Sequence, residues 1–436
     1  MSAEGTVGIP TRPAEGAATR AAMQVFVKET GGWVASQLEA CTRCGMCAEA
    51  CHFYQATGEP EYAPVWKVEL LRRAYEQRFT LAGRAKVALG MEKPVDDDDL
   101  LHWSTIVYEA CTMCNKCALV CPMGIQLGPL IHEVRSGLSE AELVPADLMA
   151  AVKKQELEGS PLGVTDDVFD SRMEWIADEW EVELPIDVPG MDTLVVFSSI
   201  EVMKFPENVA AIAKILHQAG EKWTLSTKGR EVVNFGFYEG NARRTKLFMQ
   251  RIFEAARLLG VKRVLVTECG HAYDALRWSA ANMMEVPPDL AIVHIAGLLG
   301  EYVRSGRIKL KPGAFDTGTI TFHDACKIQR RGGHIQEPRE ILNILAPHAF
   351  KEMTPNSEQA ICCGGGGGVI AIKEADPLRY KAFELKIDQI KRAGATTVAM
   401  TCSNCRLQFT DCVQHFGLDV KIAGLSQMVA DALLDD

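Results

Sequence analysis

The sequence predicts an α+β chain: a mainly helical amino-terminal unit, then α/β layers laid down twice. Three observations predict it. Two runs of closely spaced cysteines lie between residues 30 and 145, set in helical text. From Asp192 onward, short apolar runs alternate with amphipathic segments, the pattern of parallel strands joined by helices. In that second part, VKRVLVTECGHAYDAL and then LAIVHIAGLLGEYV are echoed by ATTVAMTCSNCRLQF and then LDVKIAGLSQMVADAL. The two copies share IAGL at 295–298 and 422–425, and together they read as an internal duplication.

The 436 residues divide accordingly. Residues 1–29, rich in Ala, Gly, Pro and Thr, read as a flexible arm. Residues 30–145 form the cysteine-bearing helical domain, and 146–190 an acidic linker. Residues 191–313 and 314–436 are the two α/β repeats. In the first domain a helix is expected over Val65–Arg78. Asp96–Asp99 reads as the acidic start of the next helix, because carboxylates favour the positive end of the helix dipole. The linker is most acidic from Asp166 to Asp187, where Trp175 and Trp180 suggest a packed helical turn, with a docking surface as the functional alternative. Thr193–Phe197, Arg263–Thr267, Thr319–Phe322 and Thr396–Thr401 read as strands. Pro206–Ala219, Arg339–Leu345 and Tyr380–Arg392 read as helices.

Composition excludes several classes of function. The net charge is −11 with no basic stripe, so nucleic acid is not an expected partner. No run reaches the 18 or so apolar residues of a membrane span, and the first residues lack the basic and apolar regions of a secretory signal. The expected location is cytoplasmic, with peripheral attachment to the membrane through a partner. In that setting, tight C-x-x-C groups among 15 cysteines point to metal or redox chemistry rather than disulfides.

Cys41, Cys44, Cys47 and Cys51 spell C-x2-C-x2-C-x3-C, and Cys111, Cys114, Cys117 and Cys121 repeat it. A cubane [4Fe–4S] cluster needs four converging thiolates. One short loop supplies three, and in two-cluster ferredoxins the fourth comes from the other run. One cluster is therefore assigned to Cys41, Cys44, Cys47 and Cys121, and the other to Cys111, Cys114, Cys117 and Cys51. Pro122 follows the second run, but His52 follows the first. Zinc sites instead show two C-x-x-C pairs with a long spacer.

Five further cysteines form a third group: Cys326 in FHDACK and Cys402 and Cys405 in TCSNC, each just after an expected strand, and Cys362 and Cys363 in ICCGGGGG. If the strands are parallel, ligands just past their carboxyl ends converge on one sheet edge. The glycines, Gly364 and Gly365 first, let backbone approach a cluster and present N–H groups to sulfur. A phosphate loop is excluded because no Gly-Lys-Ser/Thr follows.

This pattern resembles the cysteine-rich CCG domain of the heterodisulfide reductase family. With the two four-cysteine runs in front, the layout is similar to its HdrD-type and DsrK-type branches over most of residues 30–436. The resemblance implies a ferredoxin-like domain with two cubane clusters and a duplicated Rossmann-like domain. It also implies one noncubane [4Fe–4S] cluster on Cys326, Cys362, Cys363, Cys402 and Cys405, acting on disulfides, thiols, persulfides or trisulfides. The first repeat departs from the motif: it has Ser198 and Ser199 for the leading cysteine, NFGFYEGN for CCG, and only Cys269 near the closing pair. One noncubane cluster is therefore expected, and His271 or His323 is the candidate proton donor. The implied partners are other subunits of a redox complex, a flavoprotein or a membrane cytochrome b-type subunit, and a small sulfur-carrier protein as substrate. The rival is a pure relay subunit in a flavin-dependent 2-hydroxyacid or glycerol-3-phosphate oxidising complex that passes electrons to quinone.

Overall fold

In the computed structural model, residues 16–434 are described. Strands form where β-branched and aliphatic residues cluster after Asp192. These are β1 (Thr193–Val196), β2 (Trp223–Thr224), β3 (Arg263–Val266) and β4 (Ala291–His294), then β5 (Ile320–His323), β6 (Thr397–Met400) and β7 (Lys421–Gly424). They make two parallel sheets, β2-β1-β3-β4 and β5-β6-β7. An isolated parallel bridge from Ile320 to Phe350 stands beside β5 where β2 stands beside β1. Strands β1 and β5 are buried on both faces, as parallel sheets covered by helices require.

The sheets share one core. Helix Pro206–Gln218 packs on helix Leu425–Asp431, and apolar residues of both sheets join a single cluster that includes Ile212, Leu299, Phe322 and Val429. The two halves also match in length. Helices Ala242–Leu259 and Asp376–Ala393 are each 18 residues long, and each ends at a glycine with positive φ, Gly260 and Gly394, just before the next strand.

Strand register corrects one detail of the sequence comparison. Val266 pairs with His294 and Met400 pairs with Gly424, so Ile295 in the first half corresponds to Leu425 in the second. The shared IAGL therefore opens a helix in one half and closes a strand in the other.

The arm and the linker also differ from expectation. Residues 1–15 lie outside the described residues, but Ala17–Glu29 is a helix. Ala18, Ala22 and Phe26, spaced by four, make a buried stripe against helix Leu127–Glu140. The Phe26 ring fills the space that a Cβ at Gly137 would need, at 2.3 Å. The acidic linker is two full helices, Ala146–Glu158 and Asp166–Trp180. Phe169, Met173 and Ile176 anchor the second one, a stripe masked in the sequence by the carboxylates between them.

The helix expected over Val65–Arg78 is broken at Val68 into Pro64–Lys67 and Glu69–Phe79. The break lets Lys67 turn inward. The acidic run behaves as expected: Asp96 caps helix Asp97–Glu109 in a reciprocal box with Asp99. No helix among the described residues is long and apolar enough to cross a membrane.

Candidate metal centres

The two cysteine runs cross over. Cys41, Cys44, Cys47 and Cys121 line one small cavity, together with Val65, Ile125 and Leu127. Cys51, Cys111, Cys114 and Cys117 line a second, with His52, Lys67 and Ile131. Each cavity thus holds three thiols from one run and the last thiol of the other. Cys44 is exposed, whereas Cys51, Cys111 and Cys117 are buried, so one site faces solvent and the other the interior.

Beside the inner site lies a buried cation. Lys67 is 1 % exposed, and its Nζ is 3.4 Å from Cys51 Sγ. Burial alone would lower its pKa, but the thiolates of Cys51 and Cys111 outweigh that and hold it above the usual range.

The five remaining cysteines meet at the second sheet. β5 and β6 are parallel neighbours in register His323 to Met400, so Cys326, Cys402 and Cys405 leave the same edge. Cys362 and Cys363 arrive on the glycine loop. Gly367, at φ 64°, lies so near Thr112 that a Cβ there would meet Thr112 backbone at 2.8 Å. The run of glycines thus admits the second cysteine loop of the helical domain. Gly365 instead faces Gln408, and its carbonyl accepts from Asn404 Nδ2 at 3.2 Å. Thr112 Oγ1 and Cys362 Sγ are 3.3 Å apart, and Cys114 is held well below its usual pKa first by a hydrogen bond with Cys362. The inner four-cysteine site and the five-cysteine site are therefore in side-chain contact.

His323 joins this group: a ring nitrogen and the sulfurs of Cys363 and Cys405 lie within 4.8 Å of one another. Burial holds its pKa below the usual value, a direction that Lys386 reinforces. Lys386 is fully buried, and burial lowers it to about 8 against the opposing pull of Cys362 and Cys363. These sites suit cubane and thiolate-rich clusters: the thiols converge, they are largely out of water, and each interior group has at least one buried lysine to balance its negative charge.

His271 is placed differently from expectation. Its ring stacks on Tyr238 with centroids 3.6 Å apart, and Nε2 faces the Asn234 carbonyl at 3.2 Å. Burial lowers its pKa to about 3, so it carries no extra proton near neutrality. Strand ends show why it stands there. Three residues past β1 is Ser199 and three past β5 is Cys326; two and five past β3 are Glu268 and His271, and two and five past β6 are Cys402 and Cys405. Glu268 and His271 thus occupy the positions of the closing cysteines, and Cys269 corresponds to Ser403, not to a ligand. Glu268 accepts from Ser426 N at 3.1 Å, and Ser198 Oγ lies 3.2 Å from Ser403 Oγ, so a polar network fills the first half's site. Cys412 is core, accepting from Gln408 Nε2 at 3.1 Å.

Several of these residues gave no sequence signal. Thr112 and Tyr238 act across the chain, and Tyr238 is buried with the thiols of Cys269 and Cys402 in its field. Lys386 had one: it interrupts the apolar stripe of Phe383, Ile387 and Ile390 on its helix.

The network carries a pH prediction. Burial raises Glu231 and Glu268 from 4.5 to about 7. Their folded forms hold protons that the unfolded chain has released, so stability present below about pH 4.5 is lost as pH rises through 7. Each shift is worth about 3 kcal/mol. Thermal unfolding of the iron-loaded protein should show Glu231→Gln flattening the fall in Tm between pH 5 and 8. An unchanged slope would assign the fall to other groups.

Comparison with known proteins agrees with this anatomy. A 4Fe-4S dicluster domain matches residues 37–125, and a cysteine-rich CCG domain matches residues 320–410. An Hdr-like menaquinol oxidoreductase iron-sulfur subunit of Archaeoglobus profundus is 26 % identical, over 91 % of this chain and 79 % of its own length. A chain of the dihydromethanophenazine:CoB–CoM heterodisulfide reductase of Methanosarcina mazei is 24 % identical, over 91 % of this chain and 94 % of its own. The chain is similar to heterodisulfide reductase-like iron–sulfur proteins with a CCG domain. The Hdr-like chain carries [4Fe–4S] clusters, and its relatives are electron-transferring oxidoreductase subunits. They include an EtfAB:quinone oxidoreductase of Syntrophomonas wolfei, 24 % identical over 86 % of this chain and 55 % of that one.

Proposed function

We propose that this Hdr-like chain is the iron–sulfur subunit of a sulfur-metabolising redox complex, with two cubane clusters and one noncubane cluster in a row. The outer site is Cys41, Cys44, Cys47 and Cys121; the inner is Cys51, Cys111, Cys114 and Cys117; the terminal site is Cys326, Cys362, Cys363, Cys402 and Cys405. The second α/β half keeps the cysteines of an ancestral duplication, and the first has exchanged them for Ser199, Glu268 and His271. The observation that carries the order is the contact of Cys114 and Thr112 with Cys362.

Clusters in this arrangement supply electrons singly, whereas breaking an S–S bond into two thiols consumes two electrons and two protons. Sulfur chemistry is supported by a cleft of about 790 Å³ between the helical domain and the first α/β half. Lys327, which follows Cys326, lines it with Arg331, Asp274, His132 and Met113. Cys326 is also the least buried of the five cysteines. Lys327 and Arg331 both pair with Asp274, at 2.7 and 2.6 Å, which sets two cations against one carboxylate beside Cys326. Electrons come from, or pass to, a partner subunit bearing flavin, haem or quinone. A small sulfur-carrier protein fits the same reading as substrate. His323 lies within 4.8 Å of both Cys363 and Cys405, which makes it a better candidate for proton delivery than His271.

A relay without substrate chemistry is the second reading, favoured by the likeness to the EtfAB:quinone oxidoreductase and by the burial of four of the five cysteines. Electron paramagnetic resonance of the oxidised, anaerobic protein separates the two. Three loaded sites require about 12 Fe per chain. A new signal on adding thiols or persulfides, lost in Cys363→Ser, is expected. Full iron with no response to any sulfur compound would leave the relay.

A further inference from the structure

His52 departs from the motif that the other run completes with Pro122. Local geometry does not ask for the change. His52 is the first residue of helix His52–Thr57, a position that suits proline, because φ is already set there and the N–H has no helical partner. What distinguishes His52 is its surroundings. The side chain is 3 % exposed, its ring lies against Phe53 at 4.2 Å, and its Nε2 is buried with no hydrogen-bond partner among the described residues. An orphaned buried polar atom costs about 1–3 kcal/mol unless something uses it. One ring nitrogen, Cys114 Sγ and Cys362 Sγ all lie within 4.8 Å of one another. The short helix that carries His52 packs on helix Asp376–Ala393, so the ring is clamped between the helical domain and the second α/β half. Thr112 Oγ1 reaches the same Cys362 sulfur at 3.3 Å.

We infer that His52 is a positioning residue at the junction of the inner and terminal sites, where a ring N–H faces the sulfurs of Cys114 and Cys362 and sets the electron's balance between the two. The inference rests on the proposal that both cysteine groups hold clusters. A hydrogen bond to a cluster sulfur favours the reduced form, so removing it makes the affected site harder to reduce. Among the described residues no histidine lines the outer site, which serves as an internal control.

The test is redox titration of the iron-loaded chain followed by electron paramagnetic resonance, with His52→Phe beside His52→Gln, which keeps an N–H donor. In His52→Phe the electron is expected to shift about tenfold between the inner and terminal sites. For a one-electron couple that is about 59 mV. The outer site's potential should not change, and His52→Gln should restore most of the shift. Equal potentials in all three proteins would overturn the inference, as would a loss in His52→Phe that His52→Gln does not reverse. If His52→Phe fails to load iron, pulsed measurements on the wild-type chain with 15N-labelled histidine decide. A nitrogen coupling on the reduced inner or terminal site, absent in His52→Gln, is expected, and no coupling at either would refute it. An iron count well below about 12 would instead remove the cluster assignment, a separate failure.

Discussion

Replacing Arg135 by methionine is expected to destabilise the iron-loaded chain by at least ~3 kcal/mol, because several buried carbonyls would lose their donor together. Arg135 is fully buried. Its guanidinium donates to Val107 O and Cys111 O at 2.7 and 2.8 Å, and to Tyr238 O and Gly367 O at 2.7 and 2.6 Å. Those four carbonyls belong to the helical domain, the first α/β half and the glycine loop. The Tyr108 ring covers the cation, with its centroid 4.7 Å away. Lysine recovers little, since a point charge cannot fork to four acceptors. Anaerobic urea unfolding followed by circular dichroism measures the loss. A change under ~1 kcal/mol would mean that the three segments are held together elsewhere.

The second large effect concerns the crossover. Cys51→Ser should delete the inner site although Cys51 belongs to the first run, and Cys121→Ser should delete the outer site although it belongs to the second. Each variant is expected to keep about 8 of about 12 Fe. The two should differ in which resonance disappears and in what still works. Cys121→Ser leaves the inner and terminal sites in contact. Cys51→Ser removes the proposed cluster beside the terminal site and also leaves the buried Lys67 without its thiolate at 3.4 Å, so a stability loss accompanies the iron loss. If Cys51→Ser instead removed the solvent-facing signal, each run would close on its own cluster.

The alternating α/β text was legible because parallel strands are short apolar runs with helices of strong periodicity between them, as in β1, β3 and β6. The cysteine groups were legible because a cluster fixes local spacing. What escaped depends on partners far along the chain. Helix Ala17–Glu29 looked like an arm because its stripe of Ala18, Ala22 and Phe26 is mostly alanine, which buries little surface by itself. Helix Asp166–Trp180 looked like a linker because six acidic residues surround its three anchors. The IAGL match misled because four common residues recur without sharing a structural position. The junction of Thr112, His52 and Cys362 joins segments about 250 and 310 residues apart, and no local pattern signals it.

Of the thirteen cysteines in the three groups, only Cys44 is exposed, while Cys51, Cys111 and Cys117 are buried. Met46 and Met123 flank the outer site, each 51 % exposed. The interior is therefore insulated, and its residues answer to one another across tight contacts such as Gly367 against Thr112. The rim around Cys44 has solvent on one side and Ile125 and Leu127 on the other. On the proposed reading, a change of redox partner at that end asks for new residues only on that rim, and the buried contacts stay as they are.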